Sequence, residues 1–150
     1  MYVYVLGAVT GGMDDAKELF RVYKEQLGSF AELNDGGSFS EDIEGTPIET
    51  MQFKGSKDEL FTRAVQSVEQ AELIVADMSQ ISTGAGIELG MAYMMKKKIV
   101  VFAKRGSRVS GVIAGMIGEQ NIVWYKDYED LAEKIRSNQT IHDVAATIRY

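Results

Sequence analysis

Short runs of β-branched and aromatic residues alternate along this chain with longer stretches whose apolar residues recur at helical spacing. Residues 2–6 (YVYVL), 72–77 (ELIVAD), 98–103 (KIVVFA) and 121–125 (NIVWY) are the near-continuous apolar runs of strands covered on both faces. A weaker run, 29–33 (SFAEL), is the remaining strand candidate. Between the strands, Ala16, Leu19, Phe20, Tyr23 and Leu27 fall on one helical stripe, with Asp14 and Asp15 favouring its start and Gly28 its stop. A second helix from about Lys57 sets Leu60, Phe61, Ala64, Val65 and Val68 on one face. A third, from about Gly84 to Lys97, carries the stripe Ile87, Met91, Met94 and Met95, whose spacing reads as core packing. Val109, Val112, Ile113, Met116 and Ile117 mark a short fourth helix. Two more follow, one around Tyr128, Leu131 and Ile135, the other around Ile141, Val144, Ala145 and Ile148 with Thr140 as its cap.

Strictly alternating strands and helices imply right-handed crossovers and a parallel sheet with helices on both faces. The fold expected is α/β, a single domain over residues 1–150, built on a doubly wound five-stranded sheet of order 2-1-3-4-5 like the Rossmann and flavodoxin folds. Residues 34–50 hold five acids, three glycines, the only proline and no Lys or Arg, and read as a mobile loop able to act as a lid.

Charge and composition narrow the function. A net charge of −6 argues against a nucleic-acid polymer or an anionic membrane as partner, because both need a basic face. With no cysteine and one histidine, His142, neither a thiolate nucleophile nor a Cys/His metal site nor a Ser-His-Asp triad is in prospect, and no metal or cofactor is expected. The N-terminal residues lack a signal-peptide pattern and no apolar run is long enough to span a bilayer, so a cytoplasmic protein is expected.

In doubly wound sheets ligands sit beyond the carboxyl ends of the strands, where the winding changes direction. Two glycine-bearing loops fall there. The first, GAVTGG (7–12), has neither dinucleotide-binding nor P-loop spacing, although Gly7, Ala8 and Thr10 could bring backbone close to a ligand. The second, DMSQISTGAG (77–86), offers Asp77, the Ser82 and Thr83 hydroxyls, and backbone amides at Gly84 and Gly86. Just behind it stands Glu88, read as a first-turn carboxylate that the helix dipole keeps ionised near neutral pH. Such a group can act as a nucleophile, hold a sugar hydroxyl, or merely complement the dipole. Tyr2, Tyr4 and Trp124 could stack on a base, though aromatic residues in strands usually pack.

The segment AELIVADMSQISTGAGIELGMAYMMKKKIVVFA (71–103) resembles the nucleoside 2-deoxyribosyltransferase superfamily: a strand ending in Ala-Asp, a Ser-x-Gly-x-Gly loop, then Glu-Leu-Gly opening a helix. YVLGAVTGG (4–12) and GSRVSGVIAGMIG (106–118) are most similar to its 2′-deoxynucleoside 5′-phosphate N-hydrolase branch, and the similarity spans essentially the whole chain. The resemblance implies cleavage or transfer at the N-glycosidic bond of a (deoxy)nucleoside or its 5′-monophosphate. Glu88 would be the nucleophile, Tyr4 its neighbour, and Ser82 a ligand of the 5′-phosphate. Ser110 or Gly111 would reach the phosphate from a second subunit, so a homodimer with shared sites is implied. This chain departs from the pattern in two places. Ala64 occupies the slot of the family's second carboxylate, and Ala8 and Thr10 replace a serine and an arginine of the hydrolase branch. Asp35, Asp42 or Glu44 could substitute for the missing acid. The alternative reading is a non-catalytic nucleotide-binding protein on the same scaffold.

Overall fold

The structure, a computed structural model, describes residues 1–7, 16–28, 32–34 and 55–148. Five parallel strands, β1 (Tyr2–Leu6), β2 (Glu32–Asn34), β3 (Leu73–Asp77), β4 (Lys98–Lys104) and β5 (Ile122–Tyr125), lie in the order β2-β1-β3-β4-β5. The edge strand β2 is described over Glu32–Asn34, which overlaps the 29–33 run at residues 32 and 33; residues 29–31 lie outside the described residues. So do the acidic segment 35–50 and the loop positions Ala8 and Thr10. Six α-helices are described: α1 (Ala16–Leu27), α2 (Lys57–Gln70), α3 (Thr83–Met94), α4 (Gly111–Ile117), α5 (Tyr128–Arg136) and α6 (Gln139–Thr147).

Successive strand residues point to opposite sheet faces, and the core divides accordingly. Val3, Val5, Leu73, Val75, Val100 and Phe102 pack under α1, α5 and α6, against Leu19, Tyr23, Leu27, Leu131, Ile135 and Ile141. Tyr4, Leu6, Ile74, Ala76, Val101 and Ala103 face the other way, against Val68 of α2, Leu89 and Ala92 of α3 and the half-buried Ile113 of α4.

Local chemistry fixes most helix starts. Ser56 and Glu59 form a reciprocal capping box on α2, and Asp127 caps α5. The cap of α6 is Asn138, whose side chain accepts from the Ile141 amide; Thr140, read as the cap, lies inside the helix. The α2 and α3 stripes are only partly buried. On α2, Val68 is buried while Leu60 and Phe61 are exposed. On α3 the core face is Ala85, Leu89 and Ala92; of the expected stripe, Met91 packs partly buried against the core, whereas Ile87, Met94 and Met95 are exposed.

Candidate active site

The strand order puts the switch in winding between β1 and β3, so Gly7, the end of β3 and the start of α3 converge there. A side chain at Gly7 would touch Asp77, which places the two loop bases in contact. Residue Tyr4 of β1 is buried on the α2–α3 face, and its phenol donates a hydrogen bond to Oε2 of Glu88 on α3. The two residues lie 84 positions apart, so only the crossover of α3 over β1 and β3 brings them together.

Glu88 is the sixth residue of α3, because the helix begins at Thr83 with Ser82 as its cap. It therefore stands in the second turn, where the helix dipole has largely faded, and the expectation of a dipole-stabilised anion does not hold. Burial instead pushes its carboxyl above the ordinary glutamate range, and the hydrogen bond from Tyr4 pulls part of the way back. Glu88 is half-buried, and its Oε1 has no hydrogen-bond partner among the described residues.

At the mouth of α3 the donors divide cleanly. The Ser82 Oγ accepts from the Ala85 amide at 3.2 Å, and the Gly86 amide donates to the Ser82 carbonyl at 3.0 Å. Gly86 thus has no amide to offer a ligand, contrary to the reading from sequence. The amides of Thr83 and Gly84 have no partner among the described residues, and Gly84 is open to solvent. With its lone pair used by the cap, the Ser82 hydroxyl hydrogen is directed elsewhere. Three donors therefore cluster at the positive end of a helix, a setting suited to an anion. Ser110, at the start of α4, is exposed and makes no capping bond.

Asp77 does not join this cluster. Alternation along β3 sends it to the α1–α5 face with Leu73 and Val75, away from Tyr4 and Glu88. It is only 4% exposed. Its Oδ2 accepts from Tyr23 Oη (2.7 Å) and Tyr125 Oη (2.9 Å), and its Oδ1 accepts from the Ser79 amide (3.0 Å). Three of its acceptor sites are thus taken up within the protein, on the sheet face away from Glu88, so its engagement here is structural. Burial, then the Asp77 charge, pushes both phenols well above the ordinary tyrosine value. Sequence reading missed Tyr23, Tyr125 and Ser79 as partners. The period-2 alternation was the available signal for the face, but nothing local links residues 54 and 48 positions apart.

Tyr2 and Trp124 pack partly buried against the α2–α4 side of the core, and His142 bonds the Arg136 carbonyl at the surface. Among the described residues no group of three or more His, Asp or Glu could hold a metal ion, and no helix is long and apolar enough to cross a membrane. Two surface cavities of about 400 and 640 Å³ lie at the opposite, amino-terminal edge of the sheet, around Lys97 and Lys98.

No family model matches the chain. The chain is 33% identical over 146 residues to a 5-hydroxymethyl-dUMP N-hydrolase of Tetraodon nigroviridis, across 93% of this chain and 99% of that protein. Among solved structures it resembles a CMP N-glycosidase of Clostridium botulinum, with a TM-score of 0.66 and 16% identity over 90% of this chain and 97% of that one. A 2-deoxyribosyltransferase of Bacillus psychrosaccharolyticus superposes with a TM-score of 0.58 and 15% identity, over 88% and 90% of the two chains.

Proposed function

This chain belongs to the nucleoside 2-deoxyribosyltransferase superfamily, in its 2′-deoxynucleoside 5′-phosphate N-hydrolase branch, and from that premise we propose that it hydrolyses the N-glycosidic bond of a 2′-deoxynucleoside 5′-monophosphate with Glu88 as nucleophile. The observation that carries this reading is the Tyr4–Glu88 pair: one carboxylate oxygen tethered to a buried phenol, the other without a partner among the described residues, on a half-buried side chain at the switch point of the sheet.

In the first step Oε1 attacks C1′ of the sugar, the C1′–N bond breaks, and its electron pair leaves with the base, which takes up a proton. In the second, water adds to C1′ from the vacated face, gives up a proton, and the ester to Glu88 breaks to regenerate the carboxylate. Two displacements at one carbon retain configuration, as in glycosidases that use a carboxylate nucleophile. The Tyr4 phenol holds Oε2, turns the carboxylate and stabilises its anion. The Ser82 hydroxyl and the Thr83 and Gly84 amides supply donors for a 5′-phosphate at the positive end of α3, which is why a monophosphate is preferred to a free nucleoside.

Ala64, on α2, has no proton to give, so another group protonates the departing base, a contribution worth roughly 10²–10⁴ in rate in other enzymes. Two exposed features support a homodimer that shares its sites: the uncapped Ser110 hydroxyl, and the apolar outer stripe of α3 with Leu60 and Phe61 of α2 beside it. The test is release of free base from a panel of deoxynucleosides and their 5′-monophosphates. Wild type releases base from at least one monophosphate, and Glu88→Gln loses on the order of 10³-fold or more, as expected for removal of a nucleophile. Base release undiminished in Glu88→Gln overturns the assignment.

A further inference from the structure

The buried polar cluster around Asp77 lies on the sheet face away from the Tyr4–Glu88 pair, and the chemistry proposed above makes no use of it. Its hydrogen bonds can run in one direction only. The Lys104 amide can only donate, and it donates to Ser79 Oγ at 2.8 Å. Tyr125 Oη donates to Asp77 Oδ2, so at the 3.1 Å contact between Ser79 Oγ and Tyr125 Oη the serine is the donor. Tyr23 Oη and the Ser79 amide also donate to Asp77. Every bond thus points toward Asp77, the terminal acceptor of a chain that is buried at the two phenols, part-buried at Ser79 and exposed at Lys104, and in which each link polarises the next.

Ser79 is the link that matters for the site. It is tied to Asp77 by its amide, to β5 through Tyr125, and to the end of β4 through the Lys104 amide. Three residues later comes Ser82, the cap of α3, and six residues beyond that Glu88. The loop that crosses from one sheet face to the other is therefore fastened at Ser79 to three strands.

We propose that Asp77 is a positioning residue: through Ser79 and Tyr125 it fixes the 78–82 crossover, and so sets where Ser82 and Glu88 stand relative to Tyr4. The proposal rests on the assignment of Glu88 as nucleophile for its catalytic consequence, but its structural content stands apart from that assignment. Asp77→Asn is nearly isosteric, yet its amide group must face either two phenolic hydrogens or the Ser79 N–H. One arm of the cluster then meets donor with donor.

The experiment follows backbone amide exchange and the Glu88 carboxyl titration by NMR in the full chain. In Asp77→Asn, amides of residues 78–86 and Lys104 exchange about tenfold or more faster, while Leu73–Ala76 and Val100–Ala103 keep wild-type protection. The Glu88 midpoint falls toward the ordinary glutamate value as the helix start loosens and the side chain rehydrates. Tyr125→Phe removes the phenol that joins Ser79 to Asp77 but leaves Tyr23 in place. It gives the same local pattern in smaller degree, with kcat/KM for base release reduced about tenfold, and it decides the matter should Asp77→Asn not fold. Faster exchange spread evenly over all strands, or wild-type exchange and an unmoved Glu88 midpoint, overturns the proposal. A wild-type protein that releases no base defeats the catalytic reading alone; exchange and titration still decide whether Asp77 positions the loop.

Discussion

Glu88 combines two demands that pull against each other, and its protonation carries both. Burial raises its pKa in the folded chain, so between the ordinary glutamate value and the raised folded value the native state holds more protons than the unfolded one. Stability therefore falls as pH rises through that window and stays lowered above it. Glu88→Gln, which cannot ionise, is expected to melt at a higher temperature than wild type at neutral pH. That advantage should vanish below the unfolded glutamate pKa, as thermal denaturation at several pH values would reveal; a Glu88→Gln variant that melts lower at neutral pH contradicts the sign. The Tyr4 bond acts in the opposite sense, favouring the anion. Tyr4→Phe removes it, so the carboxyl titrates higher still and the acid limb of the kcat/KM profile for base release moves to higher pH. An acid limb that stays put would mean that Glu88 is not the group titrating. At this scale the sequence singled out the carboxylate as a candidate but placed it in a different environment. The helix was expected from about Gly84 with Glu88 in its first turn, whereas it begins at Thr83 and Glu88 stands in its second turn, under control by burial rather than by the dipole.

The start of α3 carries two roles on one hydroxyl, and they can be separated. As a cap, Ser82 satisfies the Ala85 amide; replacing it by alanine costs about 1 kcal/mol, whereas glycine at a cap position costs only a few tenths. Ser82→Ala should thus lower Tm by about 2–4 °C in a chain of this length, with Ser82→Gly close to wild type. Loss of the hydroxyl as a phosphate donor is common to both, so KM for a nucleoside monophosphate rises equally in the two variants. A KM that follows Tm instead would assign Ser82 to the cap alone. Elements of this kind were largely legible beforehand. The apolar runs of β3 and β4 are strands as expected, and α2 begins at Lys57, where its apolar stripe placed it. The face of Asp77 could have been read from alternation with Leu73 and Val75; its phenol partners could not, because they come from elements whose approach is set only by the finished sheet.

Taken whole, the molecule is asymmetric in how well its two helical layers are covered. On the α1–α5–α6 side the large apolar residues among those described in these three helices are buried or half-buried against the core. On the other side Phe61 of α2, Ile87 and Met94 of α3 and Val112 of α4 are between 56% and 81% exposed. Glu88, half-buried and turned inward to Tyr4, is the only charged residue in α3. A helix facing water ordinarily carries charge on its outer side, so an apolar outer stripe of this kind would be accounted for by a second surface that covers it. A second copy of the chain is the occupant consistent with Ser110, whose hydroxyl is exposed and uncapped on that same side. A two-fold contact would be isologous, with each subunit giving up roughly 800 Å² and each able to lend its Ser110 to the other. Ile87 and Met94 lie seven positions apart on one stripe, so Ile87→Lys with Met94→Lys sets charges into the centre of that contact without touching the core face of Ala85, Leu89 and Ala92. Sedimentation should then find a dimer for wild type and a monomer for the double variant, with the circular dichroism of the fold retained. If Ser110 acts across the interface, the monomer also binds a monophosphate more weakly, and Ser110→Ala in the intact dimer reproduces that weakening without dissociation. A double variant that sediments as wild type would place the partner surface elsewhere on the molecule.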